Sequence, residues 1–274
     1  MTEAITVERS RLYRAVSTLL NSGKLIFSFA IISLGIETIL CGILPGTLLT
    51  ASNKEIPVIP WLPAVPLIAV LSGALLVLCG AGLISKKREF ILAIILGGFF
   101  LLFTILINVP NNIANIMSIS LRTRLFEPLT IACLVFLLPG LSSMPKLIVK
   151  ISRHLLALSL IIFGIDHFLA LKPIATLIPN WIPFHVFWVA FFGIGFIVSG
   201  LSIALKLFDR WGAACIGAMF AIWVITLHLP RVLGLYPIPG ASGDPNEWSS
   251  LFIAIAMWGG LWAYANSSRG TEEK

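Results

Sequence analysis

Glu37, Asp166, His167 and His228 are ionisable residues set inside long apolar runs of a 274-residue sequence. An ionised group at the centre of a bilayer costs roughly 2.5–3.5 kcal/mol on insertion scales, so each needs a partner or a task. Asp166 beside His167 is a carboxylate next to an imidazole, and the acid can orient the base. A histidine held in this way exchanges protons with a hydroxyl near neutral pH. Asp166, His167 and His228 are therefore the candidate catalytic residues. His185 and Trp181 lie at similar or shallower depth at the same end of their segment, and Arg231 lies just beyond Pro230. Trp181 can stack on a flat ring. These three, with Glu37 and Asn108, are the candidate ligand-binding residues, forming with the catalytic set a pocket open to the outer face of the membrane.

A structural reading competes with this one. Glu37 and Asp166 can bridge neighbouring helices, paired with Asn108 and His228 or held protonated. Histidines near helix ends bond to carbonyls, and Trp61, Trp181, Trp188 and Trp248 suit an interfacial belt. Glu127 and Glu247 read as first-turn carboxylates that favour a helix dipole. Two or three histidines with a carboxylate can hold a metal, but their spacing here is not diagnostic and no metal ligand is assigned. Cys41, Cys79, Cys133 and Cys215 all sit in apolar segments with no CxxC, as small buried side chains do. Only Cys41 and Cys133 share the depth that a disulfide requires.

The elements that position these residues follow from composition. Hydrophobic residues make up 58% of the chain and charged ones 11%, against roughly 25% charged in a soluble domain. Lipid must therefore cover the surface. Apolar runs predict eight spans: 25–44, 62–84, 90–109, 125–141, 155–171, 184–207, 211–229 and 248–265. Pro45, Pro110 and Pro230 are expected to end the first, third and seventh. Eight spans of ~20 residues leave no room for a separate soluble domain. Residues 8–24 read as a short basic interfacial helix rather than a cleavable leader.

Of the 19 Lys and Arg residues, 14 fall at the two ends or in the loops after spans two, four and six. The other five are Lys54, Arg122, Arg124, Lys172 and Arg231. This bias predicts both termini in the cytoplasm of a multi-pass protein of the cell inner membrane. The net charge of +7 is thus a topology signal, and no basic stretch interleaved with aromatics points to nucleic acid.

The chain also repeats itself. Gly35-Ile36-Glu37 answers Gly164-Ile165-Asp166, 129 residues on. Pro60-Trp61-Leu62-Pro63 answers Asn180-Trp181-Ile182-Pro183 at an offset of 120, which then persists through Gly73/Gly193, Gly80/Gly200, Gly97/Gly217, Pro110/Pro230 and Glu127/Glu247. The expected fold is all-α, with eight transmembrane helices arranged as two four-helix bundles. The units span 25–145 and 152–266, between segments 1–24 and 267–274. Four spans per unit is an even number, so the two enter the membrane in the same direction. No matched pair of broken helices is expected.

The second unit reads Gly164-Ile165-Asp166-His167-Phe168, then Leu177-Ile178-Pro179-Asn180-Trp181-Ile182-Pro183, Arg210-Trp211-Gly212-Ala213-Ala214 and Leu227-His228-Leu229-Pro230-Arg231. In these motifs it resembles the DoxX-like family of small four-helix membrane proteins, here in tandem duplication. The resemblance covers 152–265, and covers 25–140 through the repeat. It implies a membrane subunit associated with redox chemistry, since some members are similar to the small subunit of a thiosulfate:quinone oxidoreductase. Others are linked to membrane thiol systems, and eukaryotic relatives look like cargo receptors. A quinone is then the expected ligand and a redox protein the expected partner, because the chain has no haem or flavin motif of its own. The alternatives are a small-solute transporter and a non-catalytic scaffold or receptor. The first unit departs from the pattern: Thr38 and Asn108 stand where the second has His167 and His228.

Overall fold

A computed structural model describes residues 15–42, 44, 66–85, 88–138, 144–235 and 245–268. Trp61 and the prolines beside it, Lys54, Lys86, Lys87, Arg9, Arg11, Arg14, Arg269 and Lys274 lie outside the described residues. Every regular element among the described residues is helical. The long helices are α1 (Gly23–Cys41), α2 (Pro66–Ile84), α3 (Glu89–Phe103), α4 (Ile119–Phe136), α5 (Lys146–Leu169), α6 (His185–Leu205), α7 (Asp209–Trp223) and α8 (Pro245–Ser267).

Among the described residues seven helices are long and apolar enough to cross a membrane, which makes this a multi-pass membrane protein. Their outward surface agrees, since Leu40, Leu71, Leu78, Leu102, Phe187 and Val198 all project away from the core. Water does not suit such a surface and lipid does. The exception is α4, whose 18 residues hold Arg122, Arg124 and Glu127.

Packing follows a ring. α1 lies on α2, α2 on α3, α3 on α4, and α4 on α5; then α5 lies on α6, α6 on α7, α7 on α8, and α8 returns to α1. α4 and α8 also touch one another. α8 is the most buried of these seven helices, with 67% of its apolar stretch inside the molecule. Small residues allow the closest approaches. A Cβ on Gly259 of α8 would lie 2.3 Å from the Phe27 nitrogen of α1. A Cβ on Gly35 would lie 2.6 Å from the Gly73 carbonyl, and one on Gly164 2.7 Å from the Gly193 carbonyl.

The structure corrects several sequence boundaries. Pro110 and Pro230 do not end their helices. α3 runs into a π-helical turn, Thr104–Asn108, and then a further helical turn, Val109–Asn112; α7 does the same through Val224–His228 and Leu229–Val232. In each, a nitrogen reaches back five residues, Val109 to the Thr104 carbonyl and Leu229 to the Val224 carbonyl. Proline lacks the N–H and crowds the carbonyl four residues back; the wider turn shifts the register so that the helix continues. α4 starts at Ile119 rather than residue 125, because Arg122 and Arg124 break the apolar run without breaking the helix. α5 starts at Lys146 rather than 155. Its basic residues Lys146, Lys150 and Arg153 recur at helical spacing along one side of its first turns, so they break the run without breaking the helix.

Candidate functional site

Helical spacing gathers the polar residues. Thr123 and Glu127 of α4, and Ser250, Ala254 and Met257 of α8, are set three or four residues apart, and Asp166 and His167 of α5 lie three and four residues beyond Phe163, so each group shares a face. With Phe163, Ile174, Phe196, Phe220, Trp223 and His228 they line a cavity of about 200 Å³. His228 reaches it because of the π-helical turn. In an unbroken α-helix, a residue five beyond Trp223 points about 140° away around the axis. The wider turn reduces that angle and brings His228 to the Trp223 side.

Asp166 is buried and held from α4. Arg122 Nε donates to Asp166 Oδ1 at 2.9 Å, and Arg122 Nη2 donates to the same oxygen. Arg122 Nη1 donates to the carbonyls of Ile116 and Met117 at 2.9 and 3.0 Å. The guanidinium therefore neutralises the acid while pinning the loop before α4. Asp166 Oδ2 is buried with no hydrogen-bond partner.

His167 is also buried. Its Nδ1 donates to the Phe163 carbonyl at 2.7 Å, which leaves Nε2 as the acceptor of a neutral ring. That Nε2 has no partner, and nor has the buried Nδ1 of His228. The His167 ring stacks on Trp223 with centroids 5.3 Å apart and planes at 27°, and lies 5.1 Å from the Phe196 ring. The site therefore presents two acceptors and an imidazole against aromatic faces.

A second cavity of about 350 Å³ adjoins the first, with Ile174 and Trp223 lining both. Trp181 belongs to this apolar cavity, with Pro179, Trp188, Phe192, Met219 and Ile222. The remaining expected ligand-binding residues do not line either cavity. His185 lies in a shallow pocket with Asn180 and residues 182–187 and donates through Nε2 to the Pro179 carbonyl at 3.2 Å. Arg231 forms a two-point pair with Glu247, Nε to Oε2 at 2.9 Å, joining the end of α7 to the first turn of α8. Glu37 Oε1 accepts from Ser249 Oγ at 2.7 Å, joining α1 to α8. Asn108 is fully buried, and neither amide atom has a partner.

Two residues of the site went unread in the sequence. Arg122 counts there as a loop charge and Glu127 as a first-turn acid, whereas Glu127 lies in the middle of α4, just before Pro128. Starting the helix at Ile119 would have put Ile119, Thr123 and Glu127 on one face. Among the described residues no group of three His, Cys, Asp or Glu is placed to hold a metal ion. The four thiols are free, Cys79 and Cys133 buried, Cys41 and Cys215 exposed. Comparison of the chain with protein-family models, with curated proteins and with solved structures finds no match.

Proposed function

We propose that this chain is a membrane subunit of a redox system and that it binds a quinone or quinol headgroup in the cavity between α4, α5, α7 and α8. One observation carries the reading. Asp166 Oδ2, His167 Nε2 and His228 Nδ1 belong to residues of one cavity, and each is buried without a hydrogen-bond partner. Buried polar atoms are seldom left so. A flat headgroup with two hydroxyls supplies donors to Asp166 Oδ2 and His167 Nε2, and Trp223 and Phe196 supply the faces it packs against. His167 and His228 exchange the hydroxyl protons, and Asp166, fixed by Arg122, sets the local charge. Oxidation of a quinol to the quinone releases two electrons and two protons, so a redox partner protein takes the electrons. The test is the quinone that copurifies with the protein. His228→Ala and Asp166→Asn should each lower it at least fivefold; unchanged content in both overturns the reading.

The same proposal carries the architecture: a tandem DoxX-like protein of eight crossings, two parallel units and cytoplasmic termini. Matched features support it. Arg88 and Phe208, 120 residues apart, both adopt left-handed backbone just before α3 and α7. The two π-helical turns are also 120 residues apart. Lys24 of α1 pairs with Glu89 of α3 at 2.6 Å, and their counterparts are Arg153 and Asp209. Cysteines introduced near each terminus should react with an impermeant maleimide only after the membrane is opened. Reaction of one end in intact cells overturns the orientation.

The matched π-helical turns favour one other reading, a small-solute transporter, since such turns give two helices a common point of flexure. Uptake of a labelled solute into proteoliposomes that is lost in Asp166→Asn would establish it instead.

A further inference from the structure

We infer that the ligand of the polar cavity is a membrane amphiphile whose apolar tail lies in the adjoining cavity, so that it enters from the lipid rather than from water. This rests on the headgroup reading above. The two cavities are continuous in their walls, because Trp223 and Ile174 line both. The second carries no charged residue, and its one hydroxyl and the Trp188 indole are already engaged. Trp188 Nε1 donates to the Pro183 carbonyl at 3.0 Å, and Thr226 Oγ1 donates to the Ile222 carbonyl at 2.8 Å. Nothing there asks for water. An apolar cavity of about 350 Å³ beside a polar one matches a chain joined to a head.

Its position matters as much as its lining. Phe191 of α6 and Ile222 of α7 wall the cavity and are each half exposed on the lipid-facing side of the helices. The tail therefore passes between α6 and α7 under Trp181, and Trp223 stands at the junction where tail meets head. Given the chemistry of the polar half, the occupant is a quinol with an isoprenoid tail. A phospholipid acyl chain fits the apolar half alone and has no group for the histidines.

The experiment uses the full chain in phosphatidylcholine nanodiscs free of quinone. A quinone with a photoreactive group on its isoprenoid tail is cross-linked and the adducts are mapped by mass spectrometry. Adducts are expected at Met219, Ile222 or Trp188, competed by unlabelled tailed quinone at least tenfold better than by a tailless analogue. Ile222→Phe should cut the adducts severalfold while tailless binding persists. Adducts scattered over α1 and α2, or equal competition by the two competitors, overturn the inference. Adducts in this cavity from a photoreactive phosphatidylcholine that tailed quinone does not displace also overturn it. If tailless quinone still binds in a manner lost with His228→Ala, the headgroup reading stands without the tail; if it does not bind, both fall.

Discussion

Arg122 and Asp166 show how the site is held at the scale of single residues. Two guanidinium nitrogens meet one carboxylate oxygen, and a third bonds to two carbonyls. Removing one member of a buried pair leaves an uncompensated charge and costs about 3–5 kcal/mol. Arg122→Gln should therefore lower stability by about 3 kcal/mol, and adding Asp166→Asn should recover part of it. Thermal unfolding in detergent measures both, and a double variant less stable than the single one contradicts the pairing. His167 separates packing from chemistry. Its ring stacks on Trp223, while Nε2 is a free acceptor. His167→Phe keeps the ring, so stability should change by no more than about 1–2 kcal/mol while bound quinone falls at least fivefold. A large loss of stability with quinone retained would make His167 structural.

At the scale of elements, helix contact depends on backbone approach. Gly259 lets α8 lie directly on α1, with the Phe27 nitrogen and the Gly23 carbonyl 2.3 and 2.8 Å from where its Cβ would be. No rotamer relieves a clash with backbone, so Gly259→Leu should destabilise by at least about 1–3 kcal/mol. Gly98→Leu is the control, since its Cβ meets nothing within 4 Å. Comparable melting of the two variants would mean that α8 does not pack on α1 in this way. The π-helical turn of α7 is the other element-scale device. It comes just before Pro230, and it turns His228 toward Trp223.

For the whole molecule, the cavity belongs to neither half alone. α4 contributes Thr123 and Glu127, and its Arg122 holds Asp166 of α5, while α7 and α8 close the other side. Residues 144–274 expressed alone should therefore retain no quinone. Co-expression with residues 1–138 should restore it, because α1 packs on α8 and α4 on α5. Quinone retained by the second half alone would place the site within that half.

The sequence by itself determined the solvent of this protein, its helical class and the matching of Gly35 with Gly164 and Pro110 with Pro230. These are one-dimensional properties: apolar run length sets what can cross lipid, and a repeated chain repeats its residues. It also singled out Asp166, His167 and His228. Only the tertiary structure decided that Arg122 is the partner of Asp166, that Glu127 faces the same cavity, and that Arg231, Glu37 and His185 are engaged elsewhere. Depth in a membrane can be counted along a helix, but the direction a side chain faces depends on rotation about the axis. Neighbouring helices and a five-residue π-helical turn set that rotation, and neither is written in any single apolar run.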